Sequence, residues 1–162
     1  MLPMPKITAK REYADKLREE ALINSVVAQR LRRIRESTIG ENGYPSGTPL
    51  NYADDGDNIY VHFAAGSALK NAALNPKVCF TVVTRCDVIP PEFAANYESV
   101  MAFGTAEEVH GQEKYDALHL HVKKYAAEFE KEGLAYIGKG IDNCRILKIK
   151  IDLITGKARM GT

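Results

Sequence analysis

The sequence predicts a mainly β protein with flanking helices, folded as a small antiparallel barrel or curled sheet of about six strands. Strand-like apolar and β-branched runs recur through it, at residues 44–52, 58–64, 78–84, 97–109, 144–154 and 157–160. Most joining segments are of hairpin size, which favours antiparallel pairing, mostly in meander order. Helical periodicity is confined to residues 8–36, 67–74 and 112–132.

Length and charge limit the possible functions. The 162 residues suit one domain, with an N-terminal helical segment at 1–36 and a barrel at 37–162 that carries the helix at about 112–132. The net charge is +1 and no apolar stretch approaches the length of a membrane span. We therefore expect neither a nucleic acid nor a membrane as partner.

The cysteines and the first residues predict a cytoplasmic protein. Cys79, Cys86 and Cys144 are odd in number and form no CxxC pair, which argues against a disulfide framework or a zinc site. Met1–Lys10 lacks the apolar core of a signal peptide. We expect Cys79 to be a small core residue and Cys86 to lie in a loop.

The predicted N-terminal helix ends in a basic cluster. Arg30, Arg32, Arg33 and Arg35 occur there without an intervening acid. A solvated helix face is the simplest interpretation, because no aromatic platform or recognition motif accompanies the arginines. A contact with a bound phosphate is the alternative.

The next two strands are predicted to form a hairpin. Residues 53–57 contain Asp and Gly, which tolerate the positive φ angles of tight turns. Pro45 and Pro49 fall in the first strand and cannot donate to a ladder, so that strand should lie at a rim or have its unpaired side facing a ligand.

Very small residues follow the second hairpin strand, where His62 and Phe63 lead into Ala64, Ala65 and Gly66. Ser67 then begins a short helix that Asn75-Pro76 ends. Amide groups at a helix start bind anions, and Lys70 lies one turn in. The alternative is a plain helix cap without a ligand.

The second half of the chain supplies the remaining elements. Residues 78–84 read as a strand buried on both faces, residues 86–95 as a loop, and Gly104 as a bulge or close approach. On the helix at 112–132, His119 and His121 point roughly 200° apart, so they cannot hold one metal ion, and we expect no metal site. A loop at 133–143 and a turn at Thr155-Gly156 complete the prediction.

Several motifs together resemble one family. GYPSGTPLNY, NIYVHFAAGSALKNAALNPKVCF, YESVMAFGTAEEV and IDLITGK occur in this order over roughly three-quarters of the chain, from Gly43 to about Gly161. They resemble the FMN-binding split-barrel superfamily, in its pyridoxamine 5'-phosphate oxidase-related branch that includes the nitroimidazole-resistance proteins. The resemblance implies a six-stranded antiparallel split barrel that forms a homodimer with two FMN molecules between the subunits.

The resemblance also implies the site residues. The flavin would contact one strand, the end of the next, the helix start and a segment of the partner chain. The implied cofactor-binding residues are Pro49, Leu50, Asn51, Tyr52, His62, Phe63, Ala64, Gly66, Ser67, Lys70, Tyr97, Glu98 and Ser99. His62 matches a histidine beside the flavin in nitroimidazole-reductase relatives and is the candidate catalytic proton donor. A histidine that is simply hydrogen-bonded at a strand end is the alternative.

The chain departs from the family pattern at two places that bear on function. Relatives usually carry Lys or Arg just after the glycine that matches Gly66, whereas this chain has Ser67 and Ala68. Either Lys70 or an arginine of the cluster replaces that charge, or the flavin affinity is low. The arginine motif with which pyridoxamine-phosphate oxidases hold their substrate has no counterpart in ITGKARMGT. We therefore expect no pyridoxamine-phosphate oxidase activity.

Two functions follow from the resemblance. The first is an FMN-dependent oxidoreductase that reduces a small oxidised molecule such as a nitroaromatic or quinone-like compound. The second is a non-catalytic flavin- or ligand-binding dimer, a carrier or sensor with weakened cofactor affinity. A ligand of another type, such as a tetrapyrrole, is a third alternative.

Overall fold

The protein is mainly β, with one antiparallel sheet of seven strands and three helices, in a computed structural model that describes residues 35–39, 43–63 and 67–160. The strands are β1 Arg35–Ile39, β2 Pro45–Pro49, β3 Tyr52–Asp54, β4 Asn58–Phe63, β5 Lys77–Ile89, β6 Ala94–Val109 and β7 Arg145–Arg159. The helices are α1 Ser67–Leu74, α2 Gly111–Tyr125 and α3 Glu130–Gly140. The mainly β prediction with flanking helices is confirmed.

The sheet curls into a split barrel because its two edges are consecutive pieces of chain. The strand order is β2-β1-β5-β6-β7-β4-β3, and every pairing is antiparallel. Only Leu50 and Asn51 separate β2 from β3, a span of about 11 Å at most. The opposite edges must therefore lie close together, although β2 and β3 do not pair with each other.

The seven strands relate to the six predicted ones by three changes: β1 is added, the predicted strand at 44–52 is divided, and those predicted at 144–154 and 157–160 are joined as β7. The single strand predicted at 44–52 is divided into β2, which pairs with β1, and β3, which pairs with β4. As predicted, Pro45 and Pro49 lie on an edge strand, where a missing donor costs nothing. Sequential neighbours pair in the β1–β2 and β3–β4 hairpins and in the β5-β6-β7 meander, whereas β1 pairs with β5 and β4 with β7 across long stretches of chain.

The prediction of the N-terminal helix was wrong at its C-terminal end. Arg35 and Glu36 belong to β1, where they pair with both β2 and β5. The rest of the segment predicted as helical, residues 1–34, lies outside the described residues. So do Ala64 and Gly66.

Long-range pairing also extends other elements beyond their predictions. β5 and β6 continue to Ile89 and from Ala94, so the loop predicted at 86–95 shrinks to a 3-10 turn at Pro90–Glu92. Thr155-Gly156 is not a turn, because Gly156 pairs with Val100 inside the continuous strand β7. Continuous pairing with β6 outweighs the local turn signal at both places.

The helix predicted at 112–132 is two helices. α2 ends at Tyr125, a 3-10 turn follows at Ala127–Phe129, and α3 occupies part of the loop predicted at 133–143. Gly133 lies within α3 because its missing side chain makes room for Val122 of α2. Close packing of the two helices therefore explains a glycine whose sequence signal favoured a loop. None of the helices in the described ranges is long and apolar enough to cross a membrane.

Two apolar clusters hold the structure together. The larger cluster lies inside the barrel formed by the curled sheet and includes Val61, Phe80, Leu147 and Ile149. The smaller lies between α2 and the outer face of the sheet and consists of Tyr60, Val109, Ala117 and Ile146. Alternate residues of β4 thus point to opposite sides, as the period of two along a strand requires.

Strand β5 has one buried face rather than the two predicted. Val78, Phe80 and Val82 are buried, whereas Cys79 between them is partly exposed. Cys79 is therefore not a core residue. Cys86 is exposed but lies in β5 rather than in a loop. All three cysteines carry free thiols.

The hairpin between β3 and β4 is confirmed. Asp55 closes it by accepting hydrogen bonds at Oδ1 from the backbone N–H of Asp57 at 3.0 Å and of Asn58 at 2.8 Å. Gly56 has a φ of 99°, which L side chains rarely adopt. This turn sets the register that carries His62 to the far end of β4, opposite Ile146 of β7.

Candidate functional site

A cavity of about 840 Å³ lies where α2 and α3 cover the ends of β3 and β4. Asn51, His62 and Phe63 contribute the strand side of its wall. The helices and the segment after α3 contribute the rest, which is lined by Leu118, His121, Val122, Tyr125, Ala126, Glu132, Gly133, Tyr136, Ile137, Gly140, Ile141, Asn143 and Cys144. The volume is in the range of small-molecule sites.

Helix α2 is fastened to the sheet edge beside this cavity. The Tyr125 hydroxyl accepts a hydrogen bond from the Tyr52 N–H at 3.2 Å and donates one to the Tyr52 carbonyl at 2.9 Å. Lys124 Nζ lies 3.3 Å from the centroid of the Tyr52 ring and 3.7 Å from Asp54. One tyrosine thus satisfies two backbone groups that an edge strand would otherwise leave unpaired.

His62 faces the cavity because strand alternation directs it away from the barrel interior. Its ring meets the ring of His121 at 87°, with 4.9 Å between the centroids. The residue is exposed overall, but this packing partly buries the ring and lowers the pKa of His62 below 6.5. His62 is therefore neutral at pH 7 and can accept or donate a hydrogen bond on the cavity side.

His121 is buried on α2 and is held in one orientation. Its Nδ1–H donates to the carbonyl of Ala117 at 2.8 Å. Burial, reinforced by the nearby His62 and Lys124, lowers the pKa of His121 to about 4, against the opposing effect of two backbone carbonyls. His119 points elsewhere and lies 2.5 Å from Glu130, so the predicted divergence of the two histidines is confirmed.

Cys144 also lines the cavity. Burial raises the pKa of its thiol, which favours the protonated, weakly nucleophilic form. Within the described part of the chain, no three residues of the metal-binding types come together.

The site residues implied by the resemblance fall into three places. Asn51, His62 and Phe63 lie together on the cavity wall, with Leu50 and Tyr52 beside them packed on the barrel core. Pro49 is exposed at the end of β2, and Ser67 begins α1 as predicted. Lys70 lies apart, on a groove between α1 and β6 with Glu107, Glu108 and Arg145.

Tyr97, Glu98 and Ser99 lie far from the cavity in the same chain. His62 pairs with Ile146, and Ile146 pairs with Val109 near the end of β6. Tyr97 is twelve residues before Val109, roughly 40 Å along the strand. This register separates these residues from His62 within one chain.

Sequence reasoning did not identify the α2 and α3 side of the site. Leu118, Val122 and Tyr125 recur at helical spacing in the sequence predicted as the helix at 112–132, but such an apolar stripe does not show whether its residues face a core or a cavity. His121 was considered only as a metal ligand. Its position one turn after Ala117, on the buried face of α2, was the available signal.

Comparison with known proteins confirms the family that the motifs indicated. Residues 37–158, most of the chain, match the family described as pyridoxamine 5'-phosphate oxidase. A search of the curated proteins finds no match.

Many solved structures share the fold, and three of them illustrate the similarity. A candidate 5-nitroimidazole antibiotic resistance protein from Bacteroides thetaiotaomicron is 24% identical, with a TM-score of 0.67 over 89% of this chain and 84% of that one. A conserved hypothetical protein from Mycobacterium tuberculosis has 19% identity and a TM-score of 0.70 over 100% and 95% of the two chains. An FAD- and heme-binding protein from Mycobacterium smegmatis has 20% identity and a TM-score of 0.64 over 90% and 72%. With a family match that extends over most of its residues, the chain belongs to the pyridoxamine 5'-phosphate oxidase family.

Proposed function

We propose that this protein binds FMN and transfers electrons to a small oxidised molecule, such as a nitroaromatic or quinone-like compound. The observation that carries the proposal is the cavity of about 840 Å³ with Asn51, His62 and Phe63 on its wall. These are three of the residues that the family resemblance assigns to the flavin. The structural similarity to an FAD- and heme-binding protein supports a flavin as the cofactor.

The residues present fit a flat cofactor. The cavity is mostly apolar, as an aromatic ring system requires, and Asn51 and His62 offer polar groups at its strand side. Bound flavin would supply the electron-transfer chemistry. The protein would hold the ring against the ends of β3 and β4 and, through α2 and α3, limit the access of water.

His62 would hold or transfer a proton beside the reacting atoms. The lowered pKa keeps its ring neutral near pH 7, so it can take up a proton and return it. Contact with the His121 ring restricts its orientation. This arrangement supports a general acid–base role over a purely structural one.

Among the described residues, few positively charged groups are available to hold the phosphate of FMN. Ser67 begins α1, whose first amide groups suit an anion. Lys70 lines the same groove as Glu107 and Glu108, and Arg145 makes a bidentate ion pair with Glu108. Because neither cation is free of a nearby carboxylate, we propose weaker FMN binding than in relatives with a basic residue at this helix start.

A homodimer would complete the site. Tyr97, Glu98 and Ser99 can reach a cofactor at His62 only from a second copy, since they lie at the opposite end of β6. An apolar face for such contact consists of Met101 and Phe103 of β6 and Leu153 of β7, each more than a third exposed. Phe103 and Leu153 are directly paired, so these side chains form one patch.

Reconstitution with FMN tests the proposal. The purified protein is incubated with excess FMN and desalted, and its absorbance spectrum and thermal melt are recorded. We expect retained flavin absorbance and a higher melting temperature. Absence of both would rule the proposal out.

A non-catalytic carrier or sensor is the second candidate, favoured by the lack of a basic residue at Ser67 and Ala68. The variant Ala68→Lys distinguishes the two. If wild type binds no FMN and Ala68→Lys does, the chain has lost its cofactor and the second candidate is correct. If wild type already binds FMN and the variant only binds it more tightly, the first is supported.

A further inference from the structure

A buried polar pair joins helix α1 to strand β1. The side-chain amide of Asn71 donates a hydrogen bond to the Thr38 hydroxyl at 3.0 Å, across 33 positions of sequence. Asn71 is 8% exposed and Thr38 is 3% exposed, so the bond is shielded from water. Buried polar groups are costly unless they are paired with good geometry. Such a pair therefore favours one arrangement of helix and strand over its neighbours.

The other contacts of α1 fix its position less sharply. Leu69 and Ala72 pack on the apolar core of the barrel, and apolar packing is non-directional. The Asn75 N–H donates to the Asn71 carbonyl at 2.8 Å, which closes the end of the helix without joining it to the sheet. Among the hydrogen bonds between described residues, the bond from Asn71 to Thr38 is the one that joins a side chain of α1 to a strand.

This pair lies one turn from the helix start that would hold the phosphate of FMN. Asn71 comes four residues after Ser67, where α1 begins. Ser67 comes four residues after Phe63 of the cavity wall, so their Cα atoms lie within about 14 Å of each other. Hydrogen bonds from backbone amides are directional, and a shift or rotation of α1 would therefore misdirect those that reach a phosphate.

We infer that Asn71 and Thr38 are positioning residues for FMN, because their hydrogen bond holds the first amide groups of α1 in line with the phosphate. The inference rests on the proposed function in taking FMN as the cofactor. Both residues act through the helix backbone rather than by contact with the flavin. With no basic residue at Ser67 or Ala68, the phosphate depends on these amide groups, so their placement matters more than in a site with a cation.

FMN and riboflavin form a matched pair of probes, because riboflavin lacks only the phosphate. Their dissociation constants are measured by quenching of flavin fluorescence on the full chain. We expect wild type to bind FMN about tenfold more tightly than riboflavin. Thr38→Val removes the hydroxyl at nearly constant shape and should bind the two flavins equally, whereas Thr38→Ser keeps the hydroxyl and should keep the preference. A preference that survives in Thr38→Val would overturn the inference.

A control variant accounts for the loss of a hydrogen bond as such. The Tyr60 hydroxyl donates to Asp55 at 2.9 Å, at the β3–β4 hairpin, whereas α1 follows the other end of β4. Tyr60→Phe removes this bond without changing the shape of the ring, and it should keep the preference for FMN. Equal binding of the two flavins by Tyr60→Phe would show that the preference depends on stability in general, which would contradict a positioning role.

A double variant separates positioning from stability. Thr38→Val leaves the Asn71 amide without its buried partner and so lowers the free energy of unfolding in urea. Adding Asn71→Leu removes that amide, and replacement of both partners by apolar groups should recover much of the lost stability. The positioning role predicts that the double variant still binds the two flavins equally. Return of the preference together with the stability would show that the pair is only structural.

Failure of this inference and failure of the proposed function give different results. Equal binding of FMN and riboflavin by wild type would leave the flavin in the protein but show that α1 does not hold the phosphate. That result would reject the inference alone. Binding of neither flavin would reject the proposed function and the inference with it.

Discussion

The rings of His62 and His121 meet edge to face, with 4.9 Å between their centroids and 87° between their planes. One ring lies at the end of an edge-proximal strand and the other on the buried face of α2. Because His121 is fixed to its own helix backbone, it gives His62 a rigid surface. The contact couples the protonation of the candidate proton donor to the packing of α2 on the sheet.

The protein should become less stable as the pH is lowered, because His121 is buried as a neutral ring. Its pKa is lowered from 6.5 in the unfolded chain to about 4 in the folded protein. Between these values the unfolded state binds a proton that the folded state does not, so the free energy of unfolding falls as the pH falls. We expect urea unfolding to show a loss of about 2 kcal/mol from this group between pH 7.5 and pH 5.

His121→Phe is the control for that pH dependence. It retains an aromatic ring but has no group that titrates in this window. His62, whose pKa is lowered in the same direction, would leave a smaller residual dependence. An equally steep pH dependence in wild type and variant would contradict the account.

Tyr125→Phe should loosen the edge of the sheet. The hydroxyl serves both the N–H and the carbonyl of Tyr52, and its loss leaves two backbone groups without that partner. We expect a loss of about 1–2 kcal/mol in urea unfolding and faster amide exchange at Tyr52. Tyr136→Phe, at a tyrosine that is 79% exposed, is the control and should change neither. Unchanged exchange at Tyr52 in Tyr125→Phe would show that the hydroxyl does not protect the edge.

Gly104→Ala should destabilise the barrel. Gly104 lies at the register shift between β6 and β7, and a Cβ there would overlap the backbone carbonyl oxygen of Lys150. We expect a cost of about 1–3 kcal/mol in urea unfolding, because backbone cannot move aside as a side chain does. Gly138→Ala, in open space on α3, should be neutral or slightly stabilising. Equal stabilities of the two variants would contradict the close approach.

Phe103→Glu should convert a dimer to a monomer. Phe103 is 37% exposed in the apolar patch with Met101 and Leu153, and a carboxylate there would be buried against a second copy. Sedimentation equilibrium of wild type should give a dimer and that of Phe103→Glu a monomer. Leu74→Glu, which is 57% exposed at the end of α1, should remain a dimer. A monomeric wild type would remove the proposed completion of the site by Tyr97–Ser99.

Local sequence signals predicted the parts of the fold that depend on local chemistry. The Asp-Gly hairpin, the helix at Ser67–Leu74 and the close approach at Gly104 were all correct. Each is set by a turn residue, a helix stop or a missing side chain. The prolines of β2 also indicated an edge strand correctly.

Long-range pairing produced the errors. The first two residues of β1 were predicted as the end of a helix, and Gly156 was predicted as part of a turn, yet both segments pair with distant strands. The cavity shows the same division. Asn51, His62 and Phe63, which the motifs implied as cofactor contacts, lie on its wall, whereas the place of His121 depends on how α2 packs over β4, which no local pattern encodes.

The most direct test of the account is the position of FMN on the protein. Amide NMR spectra are recorded with and without excess FMN, on wild type and on Gly140→Leu. The account predicts the largest shifts at Asn51, Phe63 and the residues of α2 around His121, with smaller shifts when Gly140→Leu narrows the cavity. Shifts confined to the groove of Lys70 and Glu107, or no shifts at all, would contradict it.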